Sequence, residues 1–198
     1  SLTYRGYAIE ELAEKASFEE VAYMLLYGNL PNQSEFDKYS AKLKSYRKLP
    51  RELEEVLERI PKTTHPMDVM RTGCSMLGNL EPESDFSNQS ETADRILAVL
   101  PSIITYWYGF SHEGKSVDTA TDHPTMGGQF LSLLTGEEPS KEHARALDVS
   151  LVLYAEHGFN ASTFTARICA STLSDMHSCI TGAIGTLRGT LHGGANEA

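Results

Sequence analysis

The sequence has little positive charge. Its 198 residues include 17 lysines and arginines against 27 aspartates and glutamates, which gives a formal net charge of -10 at pH 7. No segment is dense in lysine or arginine, whereas proteins that bind nucleic acids normally present a basic face. We therefore expect no nucleic-acid partner, although a local pocket for a small anion is compatible with an acidic chain.

Cysteine and long apolar runs are also scarce. Cys74, Cys169 and Cys179 are the three cysteines, an odd and small number that does not fit a disulfide framework. The longest stretch without charge, 96–112, is short for a membrane span and contains polar residues. No membrane partner and no signal peptide are expected. A bacterial cytoplasmic location is predicted, and a mitochondrial matrix protein without its presequence would look the same.

The alternating pattern of β-strands is missing, and the apolar residues follow a helical period instead. Ser17 and Glu20 form a capping-box pattern, and Gly28 suits the end of the helix that follows. Further helices are expected from about 64 to 78, 92 to 110, 125 to 135 and 141 to 157. The predicted fold class is all-α.

Small residues dominate the segment 160–187. Such residues allow close approach of helices, so we expect a helix pair here that packs in the interior. The same pair is the candidate for a dimer interface, with ordinary intramolecular packing as the alternative.

His157 is the first candidate for chemistry. It follows the apolar run 151–154, which is expected to be helical up to the histidine, and it precedes Gly158. Asn160 then offers a side-chain cap for the next helix. A histidine at such a junction can face a ligand, or it can be buried and bonded to a backbone carbonyl.

His192 is the second candidate, because Gly193 and Gly194 follow it and allow backbone or ligand to come close. If a helix begins near Gly193, its dipole disfavours the charged imidazolium. A neutral imidazole can donate a hydrogen bond to a carbonyl oxygen that is becoming an enolate. A loop histidine beside a glycine turn is the plainer alternative.

Other templates fit poorly. His177, Cys179 and Cys169 do not have the spacing of a zinc site, so no metal is expected. Arg71 and Arg167 can bind a carboxylate or serve in structural ion pairs, and the sequence does not distinguish these roles.

Several motifs together resemble the citrate synthase family. The C-terminal quarter contains EHGFNAST, ASTLSD and GTLRGTLHGGANE, and further matches are TYRGYAIEELA, FEEVAYMLLYGNLP and HPMDVMRTG. The form of HPMDVMRTG, the YWY at 106–108 and LYAEH at 153–157 resemble the 2-methylcitrate synthase branch. The resemblance spans nearly the whole chain.

This resemblance implies an intertwined all-α homodimer with a large helical domain and a smaller closing domain. Residues 1–198 would form part of the large domain, with its remainder and most of the small domain beyond Ala198. The reaction would condense propionyl-coenzyme A with oxaloacetate and water, giving 2-methylcitrate and coenzyme A. The thioester is a substrate, and no cofactor is expected.

The resemblance also assigns roles to the candidate residues. His192 matches the catalytic histidine that hydrogen-bonds the thioester oxygen, and His157 matches the histidine that binds oxaloacetate. Asn160 and the backbone of Gly193 and Gly194 would shape the substrate site. The family's second catalytic histidine and its catalytic aspartate would lie beyond Ala198, so a polypeptide confined to these residues is expected to be inactive.

Two departures from the family pattern concern the turns that carry the histidines. Gly158 replaces an acidic or larger polar residue, and Thr190 replaces a frequent proline. Two alternatives to the 2-methylcitrate reaction stay open. One is a citrate synthase that uses acetyl-coenzyme A, and the other is a non-catalytic all-α dimerisation module.

Overall fold

The computed structural model describes residues 2–196 and confirms the all-α prediction. The elements are β1 (Thr3–Tyr4), β2 (Tyr7–Ala8), α1 (Ile9–Lys15), α2 (Phe18–Tyr27), α3 (Gln33–Ser45), α4 (Arg51–Glu58), α5 (Pro66–Leu80), α6 (Gln89–Glu113), α7 (Met126–Thr135), α8 (Lys141–Tyr154), α9 (Ala161–Ser171) and α10 (Met176–Leu187). Short 3-10 helices cover Phe86–Asn88 and Gly193–Asn196. No helix within residues 2–196 is both long and apolar enough to cross a membrane.

The chain divides into two compact units. The first comprises Ser1–Arg47 and Thr119–His157, and the second comprises Lys48–Asp118 and Gly158–Ala198. Their chain segments alternate, so each unit is built from two separate stretches of sequence.

The first unit contains the antiparallel β1–β2 ribbon and five helices, α1, α2, α3, α7 and α8. Ser17 and Glu20 form the predicted capping box at the start of α2, and Gly28 ends that helix with a positive φ of 107°. The Arg145 guanidinium on α8 donates to the carbonyls of Ala13 and Ala16, at 2.6 and 2.8 Å. These bonds hold the junction between α1 and α2 against α8.

The second unit is built around α5 and α6. Its core consists of buried side chains from α4, α5, α6 and α10, including Leu53, Leu77, Ile103, Trp107 and Ile184. A Cβ atom on Gly73 would lie 2.5 Å from Ile103 Cγ2, so glycine allows α5 and α6 to cross closely.

The predicted helix pair in the segment 160–187 is present, but its position differs from the expectation. Helices α9 and α10 are in contact, and Thr165 and Thr186 join them through a hydroxyl hydrogen bond of 2.9 Å. α9, however, has no buried residue. Its small residues allow close contact with α10 on one side only, so the prediction of an interior pair is wrong for α9.

The end of α8 also differs from the sequence-based expectation. The helix ends at Tyr154, three residues before His157. Beyond it, the Glu156 amide donates to the Tyr4 hydroxyl at 3.2 Å rather than continuing the helix. His157 therefore lies in an irregular segment.

Candidate active site

The tyrosine Tyr4 positions the segment that leads to His157. Its side chain is 1% exposed, its hydroxyl donates to the Val152 carbonyl at 3.1 Å, and it accepts from the Glu156 amide. The pKa of Tyr4 is raised, mainly because the hydroxyl is buried, so it stays protonated at neutral pH. One buried side chain of the β-ribbon thus fixes both the end of α8 and the start of the segment with His157.

His157 is exposed, with an edge-to-face ring contact to Tyr154 at 5.9 Å between centroids. The alternative of a buried histidine bonded to a carbonyl is therefore wrong. Gly158, the next residue, has a φ of 69°, a left-handed conformation that favours glycine. Gly158, which departs from the family pattern, therefore fits the left-handed backbone that follows His157.

Asn160 acts as the predicted helix cap. Its Oδ1 accepts the Thr163 amide at 2.8 Å at the start of α9, and it also accepts the Ser162 hydroxyl at 2.8 Å. Asn160 therefore orients Ser162, which the sequence analysis did not single out.

Ser162 and His192 meet in the second unit. The Ser162 backbone amide lies 3.4 Å from His192 Nε2, and the Ser162 hydroxyl lies 3.0 Å from the same ring nitrogen. A backbone N–H can only donate, so this arrangement favours an imidazole that accepts at Nε2 and carries its proton on Nδ1. Such a ring can donate a hydrogen bond from Nδ1 to a ligand oxygen.

The turn that carries His192 folds back onto the end of α10. The amides of His192 and Gly194 both donate to the Gly189 carbonyl, at 3.0 and 3.2 Å. A Cβ atom on Gly193 would clash with the Leu187 carbonyl, so a side chain cannot occupy this position without moving the turn. The helix expected near Gly193 is the four-residue 3-10 helix Gly193–Asn196, and Glu197 of the HGGANE motif lies outside the described residues.

The candidate residues fall in different units. Asn160, His192, Gly193 and Gly194 belong to the second unit, where Ser162 links the first two. His157 belongs to the first unit. Ser162 was missed because the sequence offers no sign that the first turn of α9 meets a residue 30 positions later.

The two candidate arginines already have contacts within the second unit. Arg71 forms an ion pair with Asp68 at 3.1 Å, and the Arg188 Nε lies 3.5 Å from the other oxygen of Asp68. The Arg167 guanidinium lies 6.0 Å from the centre of the Phe159 ring. Arg71 thus forms an ion pair within the second unit, one of the two roles that the sequence left open.

The comparisons with known proteins cover the whole chain. The family described as "Citrate synthase, C-terminal domain" matches residues 1–198. The chain belongs to the citrate synthase family. Its motifs, and the contact of Ser162 with His192, are thus features of a member of this family.

Among sequence relatives, the 2-methylcitrate synthase of Shewanella oneidensis is 67% identical over 197 residues, covering 100% of this chain and 52% of the relative. The citrate synthase of Deinococcus radiodurans is 45% identical over 200 residues, covering 100% of this chain and 53% of the relative. The chain spans about half the length of these curated relatives.

Among solved structures, a citrate synthase from Thermoplasma acidophilum matches with a TM-score of 0.90 and 29% identity. The match covers 98% of this chain and 52% of that chain. That structure is described as a ternary complex with carboxymethyl coenzyme A and oxaloacetate. The similarity confirms the citrate synthase fold for this half-length chain.

Proposed function

We propose that the full-length protein condenses an acyl-coenzyme A with oxaloacetate, and that propionyl-coenzyme A is the preferred thioester. The product would be 2-methylcitrate, formed with hydrolysis of the thioester and release of coenzyme A. The 67% identity to a 2-methylcitrate synthase supports this preference over the acetyl-coenzyme A reaction. The geometry of His192 is the observation that carries the proposed reaction type.

In this proposal His192 stabilises the enol of the thioester. The α-proton of a thioester is weakly acidic, so its removal requires a base and a hydrogen-bond donor at the carbonyl oxygen. With Nε2 facing the Ser162 amide at 3.4 Å, His192 would donate from Nδ1 to that oxygen. His157 would bind oxaloacetate, and Asn160, Gly193 and Gly194 would shape the substrate site. The base is assigned to the part of the protein beyond these residues.

Thiol release by the full-length protein, with oxaloacetate present, tests the reaction and its specificity. We expect kcat/KM to be about 10- to 100-fold higher for propionyl- than for acetyl-coenzyme A, since one methylene in a pocket changes discrimination by this order. A preference for acetyl-coenzyme A would assign the protein to the citrate synthase reaction. No turnover with either thioester would favour the non-catalytic module.

Replacement of His192 tests its role. The change His192→Ala should lower kcat about 100- to 1000-fold, the usual effect of removing a donor to a developing oxyanion. His143→Asn is the matched control, because His143 is exposed at the start of α8 and should leave kcat unchanged. A full rate in the His192 variant would contradict the assignment.

We also propose that the protein is a homodimer in which α9 faces the second subunit. Large apolar side chains on α9 and beside it are exposed in this chain: Phe159 is 91% exposed, Phe164 62%, Ile168 53% and Leu173 74%. A cluster of this kind is typical of an interaction surface. Light scattering should give a dimer that Phe164→Ser weakens, and a stable monomer at micromolar concentration would contradict the proposal.

A further inference from the structure

Two of the three cysteines face each other across the contact between α9 and α10. A short loop connects these helices, so they run in opposite directions. Thr165 contacts α10 at Thr186, with 2.9 Å between the hydroxyl oxygens, and a Cβ atom on Gly182 would lie 3.6 Å from Thr165 Cγ2. Cys169 lies one turn beyond Thr165, so its counterpart in α10 lies about one turn before Gly182. Cys179 occupies that position.

The two thiols interact directly. Cys169 and Cys179 share a side-chain hydrogen bond, and both are free thiols in this structure. Gly182 leaves the space of a methyl group in front of Thr165, so the two helices have room to come closer. A disulfide requires sulfur atoms about 2 Å apart and Cα atoms less than about 7 Å apart. Rotation of the two side chains and a small approach of the helices would therefore form this bond.

The environments of the thiols decide which of them reacts first. Cys169 is partly exposed, whereas Cys179 is 5% exposed and donates to the Ser174 carbonyl at 3.8 Å. Burial raises the pKa of Cys179 to about 11, and the hydrogen bond with Cys169 adds to the shift. Oxidants react with the thiolate, which a high pKa makes scarce at neutral pH. Cys74 is fully buried, with a pKa that burial also raises, so Cys169 is the most reactive of these three thiols.

The cysteine contact lies on a different face of α9 from the face proposed for the dimer. Phe164 and Ile168 are 62% and 53% exposed. Each precedes a residue of the contact face, Thr165 and Cys169, and successive residues of a helix are rotated by about 100°. A bond between Cys169 and Cys179 joins two helices of one chain, so it does not require the proposed dimer to separate.

We propose that Cys169 and Cys179 form a reversible disulfide when the protein meets hydrogen peroxide, with Cys169 as the attacked thiol and Cys179 as the resolving thiol. The Cys169 thiolate takes one peroxide oxygen, which gives a sulfenic acid and, with the proton that Cys169 released, water. The Cys179 sulfur then attacks the sulfenic sulfur. The S–S bond forms, the S–O bond breaks, and the oxygen leaves as water with the proton of Cys179. Two electrons from the thiol pair thus reduce one peroxide to two waters.

The resolving thiol protects Cys169 from irreversible damage. A sulfenic acid without a neighbouring thiol is oxidised further to sulfinic and sulfonic acids, which thiols do not reduce. Condensation with Cys179 stops this oxidation, and a dithiol reductant then restores both thiols by exchange. Neither thiol has a part in the proposed synthase reaction.

The first test maps the thiols of the unmodified full-length protein after exposure to hydrogen peroxide. Remaining thiols are alkylated in denaturant, and trypsin then releases residues 168–188, with Cys169 and Cys179, and residues 72–95, with Cys74. We expect the peptide 168–188 to carry no alkyl group and to be lighter by two hydrogen atoms. Dithiothreitol before alkylation should restore both alkyl groups. The peptide 72–95 is the internal control and should be oxidised at least about tenfold more slowly.

The second test removes the resolving thiol. In Cys179→Ser, Cys169 should gain two or three oxygen atoms that dithiothreitol does not remove, and the yield of reversible product should fall at least about tenfold. Ser178→Ala is the matched control, because Ser178 is exposed beside Cys179 and should leave disulfide formation unchanged. Circular dichroism before oxidation verifies that both variants are folded.

Four results would overturn the proposal. They are a peptide 168–188 that keeps an alkyl group after peroxide, a disulfide of Cys169 with a different cysteine, oxidation of Cys74 at the same rate, and an undiminished yield of reversible product in Cys179→Ser. The first three use the unmodified protein, so poor folding of a variant cannot protect the proposal.

Discussion

The first turns of α7 and α10 are hydrogen-bonded in the same way but have different surroundings. Each helix begins with a methionine whose amide donates to a glutamate from elsewhere in its unit: Met126 to Glu19 at 2.6 Å, and Met176 to Glu83 at 2.7 Å. An aspartate accepts a second amide of each first turn, Asp148 from Gly127 in α7 and Asp175 from Ser178 in α10. In both cases acidic side chains accept hydrogen bonds from free amides of the helix terminus.

The two termini differ in the space around the second helical residue. In α7 this residue is Gly127, and a Cβ atom there would lie 2.6 Å from Asp148 Oδ1. In α10 it is His177, whose ring lines a cavity. The first terminus is closely packed, whereas the second borders a cavity of about 620 Å³.

The largest expected effect comes from filling the closed terminus. Gly127→Ala should lower the free energy of unfolding by about 3 kcal/mol, because the methyl group would press on the side chain and backbone of Asp148. Urea denaturation measures the loss. Ser178→Ala, one position further along the other terminus, should change stability by less than about 1 kcal/mol, since Ser178 is exposed. An equal loss of unfolding free energy in Gly127→Ala and Ser178→Ala would show that the two termini do not differ in packing.

A somewhat smaller effect is expected from pH through Glu19. This side chain is 3% exposed, and burial, with Asp148 adding to it, raises its pKa from 4.5 to about 7 against the opposing bond from the Met126 amide. A raised pKa means that the folded protein keeps a proton that the unfolded chain releases. The stability that Glu19 contributes is therefore highest below pH 4.5 and is lost as the pH rises through 7.

Glu19→Gln should remove this pH dependence. Between pH 5 and pH 8, the wild-type protein should lose roughly 2–3 kcal/mol of stability relative to the variant. Unfolding curves at several pH values measure the difference. Glu14→Gln is the control, because Glu14 is exposed on α1. The difference in unfolding free energy between the wild-type protein and this variant should not change with pH. A flat difference for Glu19→Gln as well would show that Glu19 is ionised at no cost.

The smallest effect concerns the start of α9, where an amide and a hydroxyl face His192. Ser162→Ala removes the 3.0 Å hydroxyl contact and keeps the backbone amide, so His192 should lose orientation but keep its tautomer. If the proposed reaction is correct, kcat should fall about tenfold with little change in KM, as for other residues that orient a catalytic group.

The tautomer provides a readout that is independent of activity. The 15N shifts of the His192 ring should report a proton on Nδ1 in both the wild-type protein and Ser162→Ala. Ser171→Ala, at the far end of α9, is the control and should alter neither kcat nor the ring shifts. A proton on Nε2 in the wild-type protein would contradict the assignment from the Ser162 amide.

Local features of the sequence predicted much of the helical structure. The capping box of Ser17 and Glu20, the glycine cap at Gly28 and the Asn160 cap of α9 all occur as expected. These features depend on residues within four positions of one another, so a single sequence contains the whole signal. The family motifs likewise led to the citrate synthase family, which the comparisons confirm.

The tertiary structure alone decided which distant side chains meet. The sequence does not indicate that the Tyr4 hydroxyl accepts the amide of Glu156, just before His157. Nor does it indicate that Ser162 contacts His192 or that Glu19 accepts the first amide of α7. In each case packing joins residues that are far apart along the chain. The sequence also predicted an interior position for α9, which is wrong. Small residues indicate that helices can pack closely, but they do not indicate on how many sides a helix is covered. The sequence by itself determined the helices, their caps and the family. Long-range packing decided the buried charges, the orientation of His192 and the cavity at His177, because burial depends on neighbours that are remote along the chain.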